Sequence, residues 1–221
     1  MALITVAAEK GGVGKTRVAI HLAVLAVLAG VDVALLDTDR QGSALSWARI
    51  RDQNQVTPAV PTFALPQDPS SALTSLSQKY DLLVVDIAAQ NYHTIFKCAH
   101  VSDLVVVPTG PDQQEIESCL RVFDEMKDQG PRHRLGRIPA YALFTRMHHL
   151  ENSRRARDMR ELFREEGVPT LKTQLAMRTA WQTTGSTGRA LVELPGSDPA
   201  VEKAAAEVQA LYDECLQLIS P

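Results

Sequence analysis

Hydrophobic positions along the chain come in two textures. Leu3–Ala8, Val31–Leu36, Leu82–Val85, Leu104–Val107 and Ala140–Phe144 are short runs rich in Val, Ile and Leu. Nearly unbroken runs of this kind suit strands of a parallel sheet covered on both faces. Between them, longer segments repeat apolar residues at helical spacing. Lys15–Ala29 places Val18, Leu22, Leu25 and Ala29 on one stripe, and helices are predicted also over Ser43–Arg51, Gln113–Lys127, Ser153–Glu166 and Asp198–Leu218. Ser197 or Asp198 caps the last of these, with Pro199 in its first turn. Val56–Ser71, carrying Pro58, Pro61, Pro66 and Pro69, reads as a connection holding one short strand. Strands separated by helices imply right-handed crossovers. The pattern therefore predicts one α/β domain over residues 1–221, a mostly parallel twisted sheet with helices on both faces.

Composition narrows the class. At 221 residues, 45% hydrophobic and 22% charged, the chain can bury a sizeable core and is neither disordered nor fibrous. Cys98, Cys119 and Cys215 are widely separated and odd in number, which indicates neither a disulfide framework nor a zinc site and suits a reducing cytoplasm. The first charges, Glu9 and Lys10, follow the first apolar run, so that run reads as a strand and not as a signal peptide. The longest apolar stretch, Ala19–Val31, is broken by His21 and is shorter than the roughly 20 residues needed to span a bilayer. A soluble, cytoplasmic protein is expected.

Chemistry concentrates in Glu9-Lys10-Gly11-Gly12-Val13-Gly14-Lys15-Thr16, set between a predicted strand and a predicted helix. Gly11, Gly12 and Gly14 let successive backbone N–H groups curl toward a polyphosphate, and the helix that follows adds its positive N-terminal end. Lys15 then neutralises the β- and γ-phosphates and the Thr16 hydroxyl holds Mg²⁺. Leu82-Leu83-Val84-Val85-Asp86 is an apolar strand ending in an acid, the arrangement that supports Mg²⁺ through water. Asp37 and Asp39 follow another strand at the same carboxyl edge, where ligands of open α/β sheets bind. Either of the two, taken singly, would also serve to cap the next helix.

The lysine added before the glycines resembles the deviant Walker A motif, Lys-Gly-Gly-x-Gly-Lys-Thr, of the ParA/MinD ATPases. Asp37-Thr38-Asp39-Arg40-Gln41 looks like that family's switch I, with Arg40 in place of proline. The likeness runs from the first strand to Gly188–Glu193 and the last helix, and the chain is most similar to the small ParA-like branch that partitions plasmids and chromosomes. It implies a P-loop NTPase domain using ATP and Mg²⁺, with Gly11, Gly12, Val13, Gly14, Lys15, Thr16 and Arg17 around the nucleotide. It further implies Lys10 reaching across a nucleotide-sandwich homodimer, Asp39 positioning the hydrolytic water, Asp37 near the metal shell, and Asp86 on the metal. Pro108 and Arg146, at the ends of two later strands, would contact the adenine. Arg17 stands where Ser or Thr is usual, and Ile87-Ala88-Ala89-Gln90 replaces a switch II that usually carries Pro and Gly. These departures leave nucleotide binding intact and keep open a slowly hydrolysing switch that acts through a protein partner, or a MinD-like positioning protein.

Net charge is −3, which does not suggest a globally basic nucleic-acid binder. The charge is unevenly spread. Between Arg132 and Arg189 lie 12 Lys+Arg against 5 Asp+Glu. Arg154, Arg157 and Arg160 recur at roughly helical spacing, and Arg155, Arg178 and Arg189 lie in the same window. A solvated face with Arg–Glu pairs would read the same way. The resemblance adds nonspecific binding of double-stranded DNA by the ATP dimer, nucleoid association in that state, and a centromere-binding or adaptor protein that stimulates hydrolysis. In the last helix Val201, Ala205, Val208, Leu211, Cys215 and Leu218 form an apolar stripe with only Lys203 as cation opposite. That suits packing on the sheet and not on a membrane.

Overall fold

The structure is a computed structural model and describes residues 1–221 apart from 40, 67, 90, 149–153, 197, 220 and 221. Strands and helices alternate: β1 (Ala2–Val6), α1 (Lys15–Leu28), β2 (Val33–Asp37), α2 (Ser43–Gln53), β3 (Thr62–Ala64), α3 (Ser70–Ser77), β4 (Leu82–Asp86), α4 (Tyr92–Ala99), β5 (Leu104–Thr109) and α5 (Gln113–Gln129). β6 (Ala140–Met147), α6 (Arg154–Glu165), β7 (Thr170–Ala176), α7 (Ala180–Thr187) and α8 (Pro199–Ile219) complete the chain, with single 3₁₀ turns at Gly130–Arg132 and Leu191–Glu193. The strands form one seven-stranded sheet in the order β3-β2-β4-β1-β5-β6-β7, and every pairing is parallel.

Alternate residues of each strand face opposite sides. Ile4, Val6, Leu35, Val84 and Val106 pack with α1, α2, α7 and α8, whereas Leu3, Leu36, Leu83, Val85 and Val107 pack with α3, α4, α5 and α6. Both faces are therefore covered, which explains why the central strands contain so few polar residues. α1 is buried almost all round, from Val18 to Ala26, because it lies between the sheet and α8.

The five predicted strands and five predicted helices are all present, with ends shifted by a few residues. Ser153 and Ser197 lie outside the described residues. Four elements have no counterpart in the sequence reading: α3, α4, β7 and α7. α3 buries only Leu73. α4 is eight residues long and starts on an Asn91 cap that accepts from Thr94 N–H at 3.2 Å. β7 is an edge strand in which exposed Lys172 and half-buried Thr173 interrupt the apolar run. Among the described residues no helix is long and apolar enough to cross a membrane.

Candidate functional site

β1 ends at Val6 in the middle of the sheet, and the glycine loop leaves from its carboxyl edge. Gly12 and Gly14 have φ of 78° and 97°, a left-handed conformation that a side chain would strain, and Gly14 opens directly into α1. Lys15 is 8% exposed, and its ammonium donates to Lys10 O at 2.9 Å. Burial lowers its pKa, while the nearby Asp86 and Asp39 carboxylates act the other way. Lys10 instead reaches outward and donates to Gln114 Oε1 on α5 at 3.0 Å. Glu9, where most P-loops have glycine, is anchored on α5. Its carboxylate accepts from the Ser118 hydroxyl at 2.5 Å and from Arg121 at 3.1 Å, and these bonds, Ser118 foremost, hold its pKa below the usual range. Thr145 at the end of β6 donates to Val13 O at 2.8 Å and lies 3.3 Å from Thr109 O, tying the loop to two strand ends.

Asp37 and Asp86 are register partners at the ends of β2 and β4, yet they do different work. Asp37 Oδ1 accepts from Asp39 N–H at 2.8 Å, and Oδ2 accepts from Ala44 N–H and Leu45 N–H at 2.9 and 3.1 Å. It satisfies the orphan donors in the first turn of α2, a cap delivered from the preceding strand. Three of the roughly four acceptor sites of the Asp37 carboxylate are thus taken by backbone N–H groups, which is the capping alternative expected for one of the two acids. Asp86 is 1% exposed, and neither of its oxygens has a hydrogen-bond partner among the described residues. Burial first, then Asp37 and Asp39, push its pKa up to about 7, against the Thr16 hydroxyl and Lys15. A buried carboxylate left without partners beside a hydroxyl and an ammonium fits a hard divalent cation whose other ligands are phosphate and water. Asp39 lines the cavity in front of the loop, and its Oδ1 accepts from Gln41 N–H at 2.9 Å.

That cavity has a volume of about 480 Å³ and is lined by Gly11–Val18, Asp39, Ser43, Ile87, Ala89, Thr145 and Arg146, and at the β7–α7 end by Leu175–Arg178, Trp181 and Gln182. Arg146, with φ of 55°, is held by Glu115 on α5. Both side-chain ends pack against Gly110, where a Cβ would come within 2.3 Å of them and displace the pair. Pro108 does not line the cavity. It is buried inside β5 opposite Leu143, one residue short of the strand end. Met177 and Gln182 stand on this wall instead, supplied by a strand and a helix too weakly patterned to read from the sequence.

The basic window divides. On α6, Arg154, Arg155 and Arg157 are exposed. Arg154 pairs with Asp158 at 3.7 Å, and Arg155 donates to Pro111 O at the start of α5. Arg160 turns inward: it donates to Leu171 O, Lys172 O and Gln174 Oε1 at 3.2, 2.9 and 3.3 Å and sits 5.3 Å above the Phe144 ring. Arg178 forms a largely buried ion pair with Glu207 at 2.5 Å and lines the cavity. The guanidinium groups of both fasten β7, Arg160 to α6 and Arg178 to α8. Arg189 is exposed and donates to Glu193 O at 3.2 Å.

Residues 4–192 match the family described as CobQ/CobB/MinD/ParA nucleotide binding domain. The chain is 28% identical over 201 residues to the maintenance of carboxysome distribution protein A of Gloeobacter kilaueensis, covering 89% of this chain and 86% of that one. It is 23% identical to the ParA protein of Rhizobium radiobacter, over 99% of this chain and 100% of that one. The fold is similar to that of the septum site-determining protein MinD from Pyrococcus horikoshii, solved with Mg-ADP, at a TM-score of 0.71 and 15% identity over 99% of this chain and 98% of that one. By the match over residues 4–192, with the loop and buried acid in the places such a site requires, the chain belongs to the CobQ/CobB/MinD/ParA family of nucleotide-binding proteins.

Proposed function

We propose that this chain is an ATPase whose ATP-bound form pairs into a homodimer, binds DNA without sequence preference and positions a cargo, with hydrolysis resetting the pair. The observation that carries the reading is the division of labour between two lysines of one loop. Lys15 is buried and donates to the loop backbone, which keeps its ammonium within its own copy's site. Lys10 points outward, and among the described residues its ammonium is held through one neutral amide oxygen, which a phosphate presented by a second copy could displace.

In this reading Gly11, Gly12, Val13 and Gly14 present backbone N–H groups to the phosphates, and Lys15 offsets their charge. Thr16 and Asp86 are the residues that would hold Mg²⁺, which when bound neutralises charge on the β- and γ-phosphate oxygens. Asp39, on the cavity wall, orients the attacking water. Arg146 and Arg17 border the base and sugar ends. The relatives named for carboxysome distribution and septum-site placement, and the one named ParA, support positioning as the class of task. An adaptor protein bound to the cargo would supply the stimulus for turnover.

DNA binding by fluorescence anisotropy, with ATP, ADP or no nucleotide across a salt series, tests this. Binding with ATP alone is expected, with log affinity falling against log salt at about 0.9 per phosphate neutralised. Equal binding in all three nucleotide conditions, or none in any, would contradict the proposal.

A further inference from the structure

Thr38 sits between the capping Asp37 and the cavity-lining Asp39, and its hydroxyl is engaged from two sides. It donates to Asp86 O at 3.1 Å and accepts from Ala88 N–H at 2.8 Å. The Thr38 backbone N–H also donates to Asp86 O, at 3.1 Å. The β2–β4 ladder ends at the pair Asp37 and Asp86. The Thr38 N–H is the last backbone group of this ladder, and past it the Thr38 side chain carries the connection on to Ala88. The Thr38 hydroxyl thus fastens the segment bearing Asp39 to the segment leaving Asp86, which continues as Ile87-Ala88-Ala89.

We infer that Thr38 is a positioning residue for the proposed hydrolysis, making the Asp39 segment and the Ile87–Ala89 segment move as one. The geometry supplies what the backbone of that second segment lacks. It carries no glycine or proline to set its conformation, and Ala89 lies against the loop, with the Cβ position of Gly11 4.0 Å from Ala89 Cβ. Ile87 is buried, and its N–H donates to Val6 O at 3.0 Å, so the first residue after Asp86 is fixed to β1. Ala88 is the first residue whose N–H is held by a side chain, and that side chain is one residue from Asp39. A shift of Asp39 toward a γ-phosphate therefore drags Ala88 and Ala89 with it. Serine preserves both hydrogen bonds. Valine preserves the shape and removes both.

This inference rests on the proposed ATPase activity, and two readouts separate their failures. Hydrogen exchange of the peptide covering Ile87–Asn91 is first measured in nucleotide-free protein for wild type, Thr38→Ser and Thr38→Val. Faster exchange at Ala88 is expected in Thr38→Val alone. Phosphate release is then measured against ATP concentration. Thr38→Val should lose about 10- to 100-fold in kcat with KM within about twofold, since displacement of a positioned group by about 1 Å carries that order of loss. Thr38→Ser should stay within about threefold of wild type. Rescue by serine with an unmoved KM distinguishes positioning from general damage to the fold. Wild-type exchange and kcat in Thr38→Val would overturn the inference. A wild-type protein that releases no phosphate would overturn the ATPase reading instead, and unchanged exchange in Thr38→Val would still sink the role of Thr38.

Discussion

Asp86 and His21 are buried ionisable groups whose effects on stability run in opposite directions. Asp86 has its pKa raised from 3.8 to about 7 by burial, so the folded chain binds more protons there than the unfolded one between those values. Its contribution to stability falls as pH rises through that window. His21 is 1% exposed. Leu191 N–H donates to its Nε2 at 3.0 Å, so Nδ1 carries the proton and donates to Arg17 O at 2.6 Å. A second proton would face the Leu191 N–H, and burial lowers the His21 pKa from 6.5 to about 4. Its contribution therefore rises with pH between about 4 and 6.5, and in wild type it offsets Asp86 over much of that range. Asp86→Asn should uncover it. Thermal melts without nucleotide from pH 4.5 to 7 are expected to climb more steeply in Asp86→Asn than in wild type, by an amount equivalent to a few kcal/mol at about 1.4 kcal/mol per pKa unit. Parallel curves would argue against a buried, unpartnered Asp86 carboxylate. The same variant should lose the Mg²⁺ dependence of its nucleotide affinity.

The placement of residues that depends on local order alone is legible in the sequence. The glycines, Lys15 and Thr16 lie within one loop, and the backbone curvature they permit is set by neighbours in the chain. Asp86 announced itself by ending an apolar strand. What could not be read was anything decided across the sheet. Asp37 and Asp39 look alike in sequence, and only the arrival of Ala44 N–H and Leu45 N–H at Asp37 assigns it to the helix. Thr38 and Thr145 are ordinary strand-end residues until their partners, Ala88 and Val13, are placed 50 and 132 positions away in the chain. Arg160 has helical spacing with its neighbours but is diverted by the free carbonyls of β7.

At the scale of elements, α2 is fastened to the chain around α7 by Arg51, which is fully buried. Its guanidinium meets Glu193 through two bonds of 2.6 and 2.7 Å, donates to Gly188 O at 2.9 Å and twice to Pro58 O, and lies 5.3 Å over the Trp47 ring. Such a pair is weak support for stability on its own, but removing one partner strands a buried charge. Arg51→Met is expected to lose about 3–5 kcal/mol in urea denaturation, and Arg51→Met with Glu193→Leu to recover most of it. A loss below about 1 kcal/mol would mean that Glu193 finds water once unpaired. Gly188→Ala should be independently damaging. Its φ is 67°, and a Cβ would come within 2.4 Å of the Arg51 backbone, so a loss of more than about 2 kcal/mol is expected. This fastening lies beside the glycine-loop helix, since His21 of α1 bonds Leu191 in the same 3₁₀ turn. The elements missed in the sequence, α3, α4, β7 and α7, are the short or half-polar ones, whose positions are set by packing rather than by period.

For the whole molecule, charge is segregated. Exposed Arg154, Arg155 and Arg157 lie on α6, whereas half-buried Arg160 and Arg178 are engaged in bonds within the chain. Arg154→Ala with Arg157→Ala should weaken DNA binding and lower the salt slope by about 2, leaving the melting temperature unchanged. Arg178→Ala should instead destabilise the chain, because Glu207, half-buried and bonded to Ala176 N–H of β7, would lose its cation. If Arg178→Ala folded normally and only the α6 pair lowered stability, the division between surface and internal arginines would be wrong.

In the proposed cycle ATP joins two copies through Lys10, which can be checked by sedimentation velocity of wild type and Lys10→Ala, each with Mg-ATP, Mg-ADP and no nucleotide. Wild type is expected to dimerise with Mg-ATP alone, and Lys10→Ala to stay monomeric in all three conditions although it still binds nucleotide through Lys15. A Lys10→Ala protein that dimerised as wild type does, or a wild-type protein whose sedimentation ignored ATP, would contradict it.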